Sequence, residues 1–301
     1  MPDTLTAPAK INLFLAIVGR RADGYHDLES LFVPVAGLCD TLEVSPGPAG
    51  SGCLVTPELP GCPPEKNLVF RAWKAYKQAT GFAPDIRVRL TKRIPTGAGL
   101  GGGSSDAAAL LCWLQGQAKD SALPEDGLRR LAAKLGADLP FFLQPGPAWA
   151  RGIGDELTPV ELDLAGLTLL LVLPDVHVST AWAYTAWDEY AAGPGAKAPE
   201  GDGTRGLTTT APTHKRRVSL SPMVVQNDFE AVVFPAHPGL RVLKERLLEL
   251  GAAAAAMSGS GSGLFGLFRE DRLALAAAEV LRTKGLPVHI EALQYWGVAK
   301  R

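Results

Sequence analysis

Residues 95–106 read Pro95-Thr96-Gly97-Ala98-Gly99-Leu100-Gly101-Gly102-Gly103-Ser104-Ser105-Asp106, and AAALLCWL follows without a break. Glycine has no Cβ, so such a run lets backbone N–H groups approach an anion closely. The apolar segment after it predicts a helix, with Ser104 or Ser105 as N-cap and Asp106 in the first turn. A helix N-terminus adds partial positive charge to the N–H groups of the loop. Loop and helix together predict a phosphate cradle. A plain turn would not need five glycines among seven residues, which cost folding entropy. Two known phosphate patterns fit poorly. The pattern G-x-x-x-x-G-K-S/T is absent, because no lysine follows the glycines. The pattern G-x-G-x-x-G occurs at Gly97, Gly99 and Gly102, and again at Gly261, Gly263 and Gly266, where a strand is expected next. No acidic residue stands at a strand end about twenty positions on, since Asp120 and Glu125 lie in a polar loop. A nicotinamide dinucleotide site is therefore not expected.

Working outward, Ile86, Val88 and Leu90 alternate with Arg87 and Arg89, which predicts a half-buried strand. Residues 68–76 carry apolar side chains at helical spacing, with Asn67 as N-cap and Gly81 beyond the end. Strands are expected over 11–18, bounded by Pro8 and Gly19, and over 28–35 and 41–44. A helix over 128–135 should stop at Gly136. Farther on come a strand over 167–174, a helix over 179–190, an amphipathic helix over 240–250 and a small-residue strand over 252–257. The loop SGSGSG, 258–263, leads into the strand LFGLF, a helix near 272–281 and a strand near 286–290. Between 191 and 217 glycine, proline, threonine and charge replace the apolar pattern, which reads as a mobile loop. Helices and strands mix without strict alternation, so the fold class is α+β. Two halves are expected, 1–157 and 158–301.

Composition sharpens this. Glycine numbers 33 in 301 residues, above the usual ~7%. Thirty basic against 31 acidic side chains give a net charge of −1, no footprint for nucleic acid or an anionic membrane. Any anion is bound locally. Cys39, Cys53, Cys62 and Cys112 form no C-x-x-C pair, so no structural zinc is expected, and Cys112 reads as a buried small hydrophobe. The apolar run 167–173 is too short to span a bilayer. The start MPDTLTAPAK has neither a basic leader nor an apolar core, so a cytoplasmic setting with reduced thiols is expected.

Four further segments present polar groups with two readings each. Lys10 and Asn12 lie two apart and so share one strand face, either a solvent edge or a site. Tyr25 and His26, in ADGYHD, form an exposed turn or hold a flat ligand. Asp138, in GADLP, is a turn former or a reactive carboxylate. The loop 258–263 is a tight turn or a flap over bound phosphates.

Read together, these segments resemble the GHMP kinase superfamily, and within it the 4-diphosphocytidyl-2-C-methyl-D-erythritol kinases. PAKINLFL with RRADGYHDLES is similar to the first family motif, RIPTGAGLGGGSSDAAA to the ATP motif and GADLPFFL with ARGIGDEL to the central segment. MSGSGSGLFGLF resembles the third glycine motif, and Asn227-Asp228-Phe229-Glu230 the NDLE stretch with Phe for Leu. DGYH is the part that other kinases of the superfamily do not usually carry. The resemblance implies a two-domain GHMP kinase fold, with a ribosomal protein S5 domain 2-like N-terminal domain and a ferredoxin-like C-terminal domain. It implies ATP phosphates on Pro95, Thr96, Gly97, Ala98, Gly99, Leu100, Gly101, Gly102, Gly103, Ser104 and Ser105. It makes Asp138 the base, Lys10 the charge stabiliser and Asn12 a hydrogen-bonding group near the reacting hydroxyl. Tyr25 and His26 take the cytosine, with Tyr184 in STAWAY as an opposite stacking wall. Mg²⁺ is the implied metal, with a serine hydroxyl among its candidate ligands. Asp106 is either a structural helix-terminal carboxylate or a group at that metal. The partners are ATP and a cytidyl diphosphate sugar alcohol, and the expected assembly is a monomer or a homodimer.

Overall fold

The structure is a computed structural model that describes residues 1–59, 61–193, 216–218 and 225–296. Along the chain run β1 (Asp3–Arg20), β2 (His26–Pro46), β3 (Cys53–Thr56), α1 (Leu68–Thr80), β4 (Ile86–Thr91), α2 (Gly102–Gln117) and α3 (Glu125–Leu135). Then come β5 (Ala148–Arg151), β6 (Glu156–Asp163), β7 (Thr168–Val172), α4 (Thr180–Ala191), β8 (Arg216–Val218), β9 (Gln226–Asn227) and α5 (Glu230–Ala236). The last are α6 (Pro238–Glu249), β10 (Ala254–Met257), β11 (Leu264–Phe268), α7 (Asp271–Thr283), β12 (Val288–Ala292) and β13 (Tyr295–Trp296). The class is α+β. Apart from its ends, the loop expected over 191–217 lies outside the described residues.

Two compact units divide the chain, and they are interleaved rather than consecutive. The first comprises Met1–Ala9, Leu38–Thr96 and Gly101–Pro145, the second Lys10–Gly37, Gly97–Leu100 and Gly146–Arg301. A single cut after residue 157 does not reproduce them, because β1 and β2 each contribute to both.

In the first unit, β4 pairs antiparallel with the end of β2, Thr41 opposite Thr91, and parallel with β3. Ile86, Val88 and Leu90 are buried while Arg87 and Arg89 are exposed, as the alternation requires. Helix α1 packs on α2. Its start is fixed by the Asn67 side chain, which accepts the Val69 N–H at 2.9 Å. Its end is fixed by Gly81 at φ +73°, the left-handed cap that glycine adopts without penalty. Val69, Trp73, Tyr76, Val88, Leu110 and Leu114 share one core. Cys53 is in that core and its thiol is pushed up to about 12 by burial. Cys112 departs from its expected burial: it lies on the exposed side of α2.

The second unit holds an antiparallel sheet in the order β10-β11-β7-β12. The run expected over 167–174 is β7, every residue buried between two neighbours. Helices α6 and α7 pack on this sheet, burying Leu170, Val172, Leu247, Leu264, Phe268, Ala278 and Leu281 in one core.

Strand boundaries near the start of the chain differ from the sequence expectation. Strand β1 starts at Asp3, ahead of Pro8. The strands expected over 28–35 and 41–44 are one strand, β2. Gly37, inside β2, allows a close approach. A Cβ there would lie 2.5 Å from Glu291 Oε2, the oxygen that accepts the Gly37 N–H at 2.8 Å.

Candidate active site

The glycine loop alternates. Gly97, Gly99 and Gly101 have φ of +73°, +72° and +71°, while Ala98 and Leu100 between them are buried. Left-handed glycines thus turn the backbone at every second residue, and the intervening side chains anchor it.

Helix α2 starts three or four residues earlier than a serine cap at 104 or 105 would place it. Its N-cap is Gly101, and neither serine caps it. The reason is the left-handed Gly101, which sets the first turn on glycine. The ladder opens with the Ser105 N–H on the Gly101 carbonyl at 2.9 Å. The N–H groups of Gly102, Gly103 and Ser104 precede it at the positive end of a 16-residue helix. Ser105 closes the first turn, and Asp106, expected within it, lies just past it; both are buried.

Asp106 belongs to a cluster the sequence did not reveal. Lys92 Nζ donates to Asp106 Oδ2 at 2.7 Å and to Asp40 Oδ2. Asp40 is fully buried and its Oδ1 accepts the N–H groups of Arg93, at 2.5 Å, and Ile94, at 2.9 Å. Burial, with repulsion from Asp40, pushes the Asp106 carboxyl up to about 7 against the pull of Lys92. Among the described residues, Ser105 Oγ and Asp106 Oδ1 are buried without a hydrogen-bond partner. No three His, Cys, Asp or Glu side chains gather among those residues to hold a metal alone. A metal here would complete its shell with phosphate oxygens and water, as Mg²⁺ does.

Asp138, also in the first unit, is half-buried at the start of a short 3-10 turn, Leu139–Leu143. Its carbonyl accepts the Phe141 N–H at 3.2 Å. Its carboxylate makes no capping bond to the turn, so the turn does not explain the side chain.

In the second unit Lys10 is buried, its Nζ 2.7 Å from Asn12 Oδ1 and 4.9 Å from the Phe32 ring centroid. Asn12 in turn donates from Nδ2 to Ser30 Oγ at 2.8 Å, and Ser30 donates to the Phe14 carbonyl at 2.6 Å. Both ends of the Asn12 amide are thus engaged, and its visible work is to aim Lys10. The solvent-edge reading fails, because this strand face is interior.

The loop 258–263 is not a flap. Ser258, Ser260 and Ser262 are buried. Ser258 Oγ donates to the Gly99 carbonyl at 3.0 Å and receives the Asn12 N–H at 3.3 Å. The Gly263 N–H donates to the Ala98 carbonyl at 3.1 Å. This loop therefore supports the backbone of residues 98–99 from behind. Asn227 holds it by donating to the Met257 and Gly259 carbonyls, each at 2.7 Å, and Glu230 accepts the Met257 N–H at 2.8 Å.

Gly99→Ala follows as a test. A Cβ there would run into the Ser258 carbonyl, at a φ that L-residues rarely adopt. The left-handed conformation alone costs about 1–2 kcal/mol, and the clash must be relieved by moving the loop. We expect a rise in the KM for ATP of roughly tenfold or more, since ~1.4 kcal/mol is tenfold, with a lowered Tm. An unchanged KM would remove residues 97–100 from the phosphate site.

His26 and Tyr184 lie face to face, ring centroids 4.7 Å apart and planes 17° apart. Tyr184 also meets Phe229 edge-on at 4.9 Å. In this geometry Tyr184 backs His26 and leaves no gap for a base between the two rings. Tyr25 is 61% exposed. His26 is buried, with Nε2 2.6 Å from Asp188 Oδ1.

The α+β fold and the glycine-opened start of α2 are those of a phosphotransferase of the GHMP class. The family model described as GHMP kinases N terminal domain matches residues 67–146, and that described as GHMP kinases C terminal matches residues 215–285. A 4-diphosphocytidyl-2-C-methyl-D-erythritol kinase of Nitratidesulfovibrio vulgaris is 47% identical over 286 residues, covering 95% of this chain and 97% of that one. One of Solidesulfovibrio magneticus is 45% identical over 293 residues, covering 96% of each. A crystal structure of 4-(cytidine 5'-diphospho)-2C-methyl-D-erythritol kinase superposes with a TM-score of 0.76 at 35% identity, covering 97% of this chain and 99% of that one. The chain belongs to the 4-diphosphocytidyl-2-C-methyl-D-erythritol kinase family. Among the described residues no helix is long and apolar enough to cross a membrane.

Proposed function

We propose that the protein transfers the γ-phosphoryl group of ATP to the 2-hydroxyl of 4-diphosphocytidyl-2-C-methyl-D-erythritol, releasing ADP and the 2-phosphate. That places it in isoprenoid precursor synthesis by the non-mevalonate route. The observation that carries the reading is the open start of α2, three N–H groups ahead of the helical ladder, in a chain 45–47% identical to such kinases over almost its whole length. Phosphoryl transfer asks a protein mainly for positioning and charge neutralisation. The loop Pro95–Ser105 would supply both to the ATP phosphates through backbone N–H groups and the helix terminus.

The other roles follow from chemistry. Asp138 accepts the proton of the attacking hydroxyl. Lys10, held by Asn12, carries charge that develops on the transferring group. Tyr25 and His26 take the cytosine, and Tyr184 keeps the imidazole in place. Mg²⁺ would be held by Ser105 Oγ and Asp106 Oδ1, neighbouring buried oxygens of α2 without a hydrogen-bond partner; when bound, it neutralises phosphate charge.

A coupled ADP-release assay tests this by comparing the cytidyl substrate with mevalonate and homoserine. Turnover should require the cytidine diphosphate headgroup. Turnover of either alternative, with none on the cytidyl compound, would sink the assignment.

A further inference from the structure

Helix α4 presents Tyr184 and Asp188 four residues apart, hence on one face. Both meet His26. The tyrosine ring stacks on the imidazole at 4.7 Å, and the carboxylate binds Nε2 at 2.6 Å. Arg20 Nη1 lies 3.4 Å from the other carboxylate oxygen, which keeps Asp188 turned toward the ring. His26 therefore has neither rotational freedom nor a free choice of proton. A neutral imidazole carries one N–H, and the hydrogen bond at one nitrogen decides which. An ionised carboxylate only accepts, so it selects the Nε2–H form. The lone pair is then on Nδ1.

This has a consequence for recognition, and it rests on the reading that His26 contacts the base. An acceptor at Nδ1 matches a pyrimidine with an amino group at position 4, a hydrogen-bond donor. It opposes one with a carbonyl oxygen there, a second acceptor. A site built around a defined donor–acceptor pair rejects the wrong partner strongly, because buried polar groups are left unpaired. We propose that Asp188 is a specificity-determining positioning residue, which fixes the Nε2–H tautomer of His26 so that the site takes cytosine and refuses uracil.

The experiment pairs spectroscopy with binding. In the ¹⁵N-histidine-labelled wild-type protein, the His26 ring should give the shifts of the Nε2–H tautomer. Cytidine diphosphate should bind more tightly than uridine diphosphate. Asp188→Ala should reduce that preference roughly tenfold or more, the scale of one hydrogen bond. It should also raise the KM for the cytidyl substrate while kcat stays close to wild type. Asp188→Asn, whose amide oxygen can still accept the Nε2 proton, should retain most of the preference and serves if the alanine variant does not fold. An Nδ1–H or doubly protonated ring in the wild type would overturn the proposal, as would an unchanged preference in folded Asp188→Ala. If the wild type turns over no cytidyl substrate, the functional reading falls, and the tautomer signal still reports on Asp188 separately.

Discussion

Asp138→Asn is expected to lower kcat by about two to four orders of magnitude, the usual contribution of a placed general base. ATP binding should change by no more than a few-fold. The asparagine keeps the shape of the side chain and loses only its ability to take up a proton. The substitution also preserves the backbone carbonyl through which residue 138 opens the turn at Leu139, and the carboxylate does not cap that turn. Thermal stability should therefore stay close to that of the parent, which separates lost chemistry from lost structure. Single-turnover measurements with saturating ATP check the kcat, and nucleotide titration checks the binding. Activity within a few-fold of the parent would show that the proton leaves by another route.

Local signals were legible where they act over a few residues. Asn67 and Gly81 mark the ends of α1 because capping is a contact between near neighbours. The alternation over 86–90 marks β4 for the same reason. The glycine loop could be read as an anion cradle, yet the start of α2 could not. Serine is the commoner cap, and only the left-handed Gly101 moves the start forward. The gap left between the strands expected over 28–35 and 41–44 has the same origin: Gly37 lies inside one continuous strand and its small size serves a contact with Glu291, 254 residues away. The same limit hid the environment of the site. Lys92 meets an aspartate 52 residues earlier and another 14 later, and His26 meets Asp188 across 162 residues. Residue types and spacing suggested Lys10, Asn12 and His26. What those side chains hold, and what holds them, depends on pairings that no local pattern records.

Lys92→Met should destabilise the protein by about 3–5 kcal/mol above neutral pH, the range for removing one partner of a buried ion pair, and by less near pH 5.5. The methionine keeps much of the apolar stem and deletes the ammonium that joins Asp40 to Asp106. Asp40 keeps two backbone N–H donors on one oxygen, but its other oxygen then faces Asp106 with no cation between them. The pH dependence follows from the direction of the Asp106 shift. Burial already raises this carboxyl to about 7, from an ordinary value of 3.8. The native state thus holds the proton more tightly than the unfolded chain. The resulting stability is fully present below the unfolded value and is lost as pH rises through about 7. Without Lys92 the folded value rises further, so the penalty deepens above neutrality while protonation relieves it in acid. Urea unfolding at the two pH values measures both losses. Adding Asp106→Asn to the variant should recover much of the loss above neutral pH, because it removes one of the opposed charges. Equal losses at both pH values, or no recovery in the double variant, would mean that the ammonium is not what reconciles the two carboxylates. Ser105 closes the first turn of α2 and Asp106 follows it directly, so loosening this cluster should also raise the KM for ATP.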